Sequence, residues 1–126
     1  MTYIYAIQHN VTKKIYIGKT KDIYKRFYQH IWKLKSGKHP SKEMIRDFQK
    51  YGNDFSVFVL ETIENGKQAV KVNGHERTLE RMKEVEYMQK YNTLENGYNV
   101  QDSLSKKMID SELEPFPFKD GVPEVE

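Results

Sequence analysis

From Tyr3 to Gln8 the chain alternates bulky and small side chains, the two-residue period of a strand with one face inward. Ile15 to Gly18 carries the same signature, and in both segments tyrosine stands beside a β-branched residue. The polar stretch His9-Asn10-Val11-Thr12-Lys13-Lys14 separates them, so the two segments predict a β-hairpin. The period then lengthens. Ile23, Phe27, Ile31 and Leu34 form an apolar stripe at helical spacing, with Asp22 as N-cap and Ser36-Gly37 as the stop. A second helix is expected from the cap at Ser41, with Met44, Ile45 and Phe48 inward and Gly52 ending it.

Phe55 to Ile63 is rich in Phe, Val, Ile and Leu, and predicts a third strand, expected at the centre of the sheet. Residues 64–76 are polar and carry turn signals at Gly66 and Asn73-Gly74, which suit either a loop or a small hairpin. A third helix is expected from about Thr78 to Tyr91. Tyr98-Asn99-Val100 suits a short strand or an extended packing segment.

The 126 residues suit one domain with a tail. The boundary falls after Gln101: residues 102–126 are acidic, contain Pro115, Pro117 and Pro123, and cluster their apolar content at Phe116 and Phe118. The chain has no cysteine, which removes disulfides, thiolate metal sites and cysteine nucleophiles. It has neither an apolar run of membrane-span length nor a signal-peptide core, so a cytoplasmic protein with no membrane partner is expected. The net charge of +3 hides an asymmetry: residues 1–60 hold twelve Lys/Arg against four Asp/Glu, and residues 101–126 hold three against seven. A positive body suits a polyanionic partner, since neutralising phosphates releases counterions.

The candidate chemistry lies in the hairpin and first helix. Tyr5 and Tyr16 fall on adjacent predicted strands, and Arg26 and His30 stand four residues apart on one helical face. A guanidinium suits phosphate oxygens, and tyrosine or histidine can handle a proton. Other mechanisms fit poorly: Gly18-Lys19-Thr20 lacks the preceding glycine of a phosphate loop, and His75-Glu76 lacks the second histidine of a zinc motif.

These residues resemble the GIY-YIG nuclease family, most closely the catalytic domain of its phage-type homing endonucleases. Tyr3-Ile4-Tyr5 matches the first motif except that Tyr3 replaces its glycine, and Tyr16-Ile17-Gly18 matches the second in full. Arg26 and His30 on the first helix, Glu84 on a later one, and Asn96-Gly97-Tyr98-Asn99 complete the pattern over roughly residues 2–101. The segment from Gly37-Lys38-His39 to Tyr51-Gly52-Asn53 also resembles the phage-type second helix. The resemblance implies an α+β fold, a small mainly antiparallel three-stranded sheet flanked by about three helices. It also implies a metal-dependent DNA endonuclease.

In that reading Glu84 is the single metal ligand, for Mg²⁺ or Mn²⁺, chosen over Glu86 because it lies fifteen residues before Asn99. Hard cations keep several waters, so one carboxylate suffices. Arg26 is the phosphate clamp, Tyr5 the base and Tyr16 the residue that orients water or phosphate, although the two tyrosines are interchangeable on sequence grounds. His30 contacts phosphate or handles the nucleophile's proton, His39 has an active-site role, and Asn99 braces the site. Lys19, Lys25, Arg26 and Lys33 are expected to contact DNA. Gly18 is expected to let the backbone approach the site. The alternative is a nucleic-acid-binding module of the same fold with weak or no catalysis. With only an acidic tail after the catalytic region, three arrangements stay open: a stand-alone nuclease of low specificity, a subunit of a homodimer, or a truncated relative.

Overall fold

The computed structural model describes residues 1–72 and 74–100. The acidic tail, with Phe116 and Phe118, and the turn residue Asn73 lie outside the described residues. The elements run β1 (Thr2–His9), β2 (Ile15–Thr20), α1 (Ile23–Ser36), α2 (Lys42–Tyr51), β3 (Phe55–Ile63), β4 (Ala69–Val72), β5 (His75–Thr78), α3 (Leu79–Tyr91) and α4 (Thr93–Asn96). β1, β2 and β3 form an antiparallel sheet in the order β2-β1-β3. β4 and β5 make the small hairpin that the turn signals allowed.

The expected central strand is therefore corrected. β3 is an edge, and β1 lies between its two neighbours. The apolar run from Phe55 to Leu60 is only half-buried, whereas β1 is buried from Ile4 to His9. A continuous apolar run indicates burial on both faces in parallel sheets, but it does not fix strand order in an antiparallel one.

β1 sorts its side chains by the two-residue period. Ile4 and Ala6 join Ile15, Ile17, Met88 and Tyr91 in a core against α3. Tyr5 and Ile7 face the other way, into a core with Leu34, Met44 and Tyr98 that takes in the inward faces of α1 and α2. Helices thus cover both faces of the sheet, and Tyr5 is presented to α1.

The helix boundaries follow local chemistry. The Asp22, Ser41 and Thr78 side chains accept from Lys25, Met44 and Arg81 N–H groups, satisfying donors that the first turn leaves free. Gly37, at a φ of 74°, closes α1 in the left-handed region that glycine adopts without a Cβ penalty.

The final segment is extended and braces the exposed edge of β2. Tyr98 N–H donates to Ile15 C=O at 2.9 Å. One residue on, the Asn99 carboxamide substitutes for backbone: its Oδ1 accepts from Ile17 N–H at 2.8 Å and its Nδ2 donates to Ile17 C=O at 2.9 Å. Tyr98 Oη also lies 2.7 Å from both Asp47 Oδ2 and Thr12 Oγ1, tying α2 to the hairpin loop.

Candidate active site

Register places Tyr5 of β1 opposite Gly18 of β2. A Cβ built on Gly18 would sit 2.3 Å from Tyr5 Oη and 2.4 Å from its Cζ, so the phenol lies across the space that only glycine leaves open. Gly18 therefore admits a side chain, where the sequence reading expected it to admit backbone. The Tyr16 ring meets His30 and His39 edge-on, with centroids 4.8 and 5.5 Å away.

A hydrogen-bonded chain runs from Tyr5 into the loop before α2. Tyr5 Oη lies 2.8 Å from His30 Nε2, His30 Nδ1 lies 2.8 Å from His39 Nε2, and Ser41 N–H donates to His39 Nδ1 at 3.0 Å. Tyr5, His30, His39 and Ser41 are all buried. Burial, then the neighbouring His39 imidazole and the positive charges of Arg26 and Lys33, lower the His30 pKa to about 3. Burial and Lys33 lower that of His39 to about 4. Both rings are therefore neutral at pH 7, and His30 is removed from the near-neutral range that sequence suggested.

Neutrality fixes the direction of the chain. A backbone N–H can only donate, so His39 Nδ1 is bare and its hydrogen is on Nε2. That hydrogen points to His30 Nδ1, which leaves the His30 hydrogen on Nε2, aimed at Tyr5 Oη. Tyr5 is thus an acceptor from His30, and its own hydrogen is directed elsewhere. One backbone amide sets the tautomer of two imidazoles.

The charged groups surround this cluster. Burial raises both tyrosine pKa values. For Tyr5 the neighbouring Tyr16 adds to the rise, Arg26 opposes it, and Glu84 adds again; for Tyr16 Glu84 adds, while Arg26 and Arg81 oppose. Glu84 and Arg26 thus act on both phenols, one from α3 and one from α1. Glu84 is buried, and its Oε1 accepts from Arg81 Nη1 at 2.6 Å. Sequence reading missed Arg81, whose signal was its position three residues before Glu84 on the same helix.

Arg26 is exposed and lines a cleft of about 330 Å³ with Thr20, Lys21, Asp22, Lys25 and Gln29. Lys25 shares that cleft, Lys33 acts on both imidazoles, and Lys19 is half-buried on β2 and acts on Glu80. Asn99 holds β2 between Tyr16 and Gly18 through backbone. It supports the site from behind: both of its side-chain bonds go to the Ile17 backbone, and its own N–H donates to Thr93 C=O.

Among the described residues no group of three or more His, Cys, Asp or Glu could hold a metal. Glu84 is the carboxylate that acts on both phenols, and a single carboxylate suits a hard cation that keeps most of its water.

Residues 1–99 match the family model for the GIY-YIG catalytic domain. The chain belongs to the GIY-YIG family. It is 34% identical over 100 residues to Intron-associated endonuclease 1 of Enterobacteria phage T4, a match covering 79% of this chain and 37% of that protein. The chain thus matches little more than a third of that relative's length. Two solved structures of the catalytic domain of intron endonuclease I-TevI, the first carrying a glutamate-to-alanine substitution, superpose with a TM-score of 0.66. They are 33% and 31% identical, and the matches cover 82% and 81% of this chain and 97% and 100% of theirs. The three-stranded sheet with its helices is the GIY-YIG fold.

Proposed function

We propose that this GIY-YIG chain is a DNA endonuclease that hydrolyses phosphodiester bonds and depends on a divalent cation. The observation that carries this reading is the oriented chain Ser41–His39–His30–Tyr5, with Arg26 and Glu84 both acting on the phenol at its end. The relative from phage T4 is an intron-associated endonuclease, which supports the same activity class.

Glu84 would hold Mg²⁺ or Mn²⁺, which polarises the phosphate and stabilises the leaving oxygen when bound. Arg26, exposed in its cleft, clamps the scissile phosphate, and Lys19, Lys25 and Lys33 contact flanking phosphates. Tyr5, as phenolate, takes a proton from the attacking water. Burial opposes that phenolate, while the His30 Nε2–H and the positive charge of Arg26 stabilise it. Tyr16 orients water or phosphate beside it. The two imidazoles stay neutral and act as a fixed donor relay, without exchanging protons with the substrate.

The test is nicking of supercoiled plasmid with Mg²⁺ or with EDTA, comparing the natural chain with Arg26→Ala. Mg²⁺-dependent nicking, lost in EDTA and in the variant, is expected. Binding of the plasmid without nicking under any cation would replace the enzyme with a binding module. DNA affinity should fall steeply with salt, since the contacts are to phosphates.

A further inference from the structure

The outward face of α1 carries three rings that the catalytic cluster does not use. Tyr24, Tyr28 and Trp32 are 90%, 73% and 54% exposed. Their i, i+4, i+8 spacing places them in one stripe, with steps of about 6 Å along the helix axis. Single exposed aromatics are ordinary, but an aligned row of three marks a surface that meets something.

The charge around the stripe says what it meets. From Ile23 to Lys38 the chain has Lys25, Arg26, Lys33, Lys35 and Lys38 and no acidic residue. Lys38 Nζ lies 5.7 Å from the Trp32 ring centroid. Tyr28, Gln29, Trp32 and Lys33 line an open cleft of about 500 Å³. Gln29 also lines the cleft around Arg26, so the aromatic surface is continuous with the phosphate site. Rings interleaved with lysines suit a polyanion that also presents flat apolar faces, and a nucleic-acid strand with unstacked bases has both.

We propose that Tyr28 and Trp32, extended by Tyr24, form a stacking platform for unpaired bases of the DNA strand whose phosphate lies at Arg26. The protein then prefers DNA with unpaired bases beside the cleaved bond. In a fully paired duplex the base faces are covered, and only the lysines engage. This inference rests on the endonuclease reading for the position of the strand.

Trp32 is the one tryptophan of the chain, so its fluorescence reads the platform directly. The full chain is titrated in EDTA with labelled oligothymidylate, an abasic strand of equal length, a paired duplex, and a duplex with a short unpaired gap. Label anisotropy gives binding by any route. The expected result is tryptophan quenching by oligothymidylate and the gapped duplex, little quenching by the abasic strand or paired duplex, and tighter binding of the gapped form. Tyr28→Leu and Trp32→Leu should weaken gapped-DNA binding about tenfold each, with paired-duplex binding changed less than twofold. Tyr28→Phe and Trp32→Phe, which keep a ring, should retain most of the affinity.

Equal affinity for base-bearing and abasic strands, or anisotropy binding with unmoved tryptophan fluorescence, would overturn the platform while leaving the nuclease reading intact. Tryptophan emission that changes with protein concentration alone would assign the stripe to a second copy and also overturn it. Absence of DNA binding in every form, together with absence of plasmid nicking, would remove both readings.

Discussion

The phenol of Tyr5 lies across Gly18, its partner on the next strand, so closely that a Cβ there would stand 2.3 Å from the Tyr5 oxygen. The glycine of the second motif is therefore steric in function: it holds open the place from which Tyr5 reaches His30. Gly18→Ala should displace the ring, break the Tyr5–His30 bond and abolish nicking, with a stability cost of about 1–3 kcal/mol for overpacking. Combining it with Tyr5→Ala should cost less than the sum of the two changes, because the clash disappears with the ring. Urea denaturation of the four proteins measures this coupling, and strict additivity would show that the two residues do not press on each other.

Glu84 offers a sharper test of the metal assignment. Glu84→Gln keeps an oxygen that can accept from Arg81, so the fold should survive with little change in its urea midpoint. Plasmid nicking in Mg²⁺ should fall at least a hundredfold, because no other carboxylate is assigned to the cation. A folded Glu84→Gln protein that nicks at the natural rate would show that the ligand lies elsewhere.

The elements were largely legible in the sequence because each has local causes. The caps at Asp22 and Ser41 and the stops at Gly37 and Gly52 are short-range chemistry, and all four stand where the pattern put them, while Thr78 caps the helix that was expected to begin at about that residue. Strand order was not legible in this way, since β3 became an edge through contacts with β1 that no local signal encodes. The site divides similarly. Motif positions brought Tyr5, Tyr16, His30, His39 and Glu84 into view. The neutral state of the two histidines, the pairing of Glu84 with Arg81 and the steric role of Gly18 depend on burial and register, which appear only when the sheet is assembled.

The low pKa values of His30 and His39 set a direction for stability against pH. Above their unfolded value near 6.5 both are neutral in either state and contribute no pH dependence. Below it the unfolded chain takes up protons that the folded protein refuses until about pH 4 and then about pH 3. Stability should therefore fall as pH drops from 6.5 toward 4, with a slope of up to about two protons. Urea midpoints across that range, in the natural chain and in His39→Gln, measure it. An unchanged slope in the variant would mean that other groups dominate.

Activity should move with pH for a different reason. Burial raises Tyr5 above the ordinary phenol value, so its base form is a small fraction at neutral pH. Nicking by the natural chain should rise with pH through the alkaline range, approaching tenfold per unit until another step limits the rate. No inflection near 6.5 is expected, because neither imidazole titrates there in the folded protein. A rate curve with its midpoint at 6.5 would make a histidine the base and demote Tyr5.

Ser41 allows the relay to be separated from the helix it caps. Its side chain accepts from Met44 N–H at the start of α2, while its backbone N–H fixes the hydrogen on His39 and, through His30, the donor to Tyr5. Ser41→Ala removes the cap and keeps the N–H, costing about 0.5–2 kcal/mol of stability with nicking preserved at a temperature where the protein is folded. Ser41→Pro removes both, and its backbone φ of −86° is close to what proline adopts. With the N–H gone, both imidazoles are free to reverse, and Tyr5 loses an obligatory donor. Nicking in Ser41→Pro should drop at least tenfold below Ser41→Ala, and its alkaline pH profile should shift upward as the phenolate loses a stabilising hydrogen bond. Equal rates and profiles in two folded variants would show that the tautomer of His39 does not matter to the chemistry, leaving the two histidines as packing for the tyrosines alone.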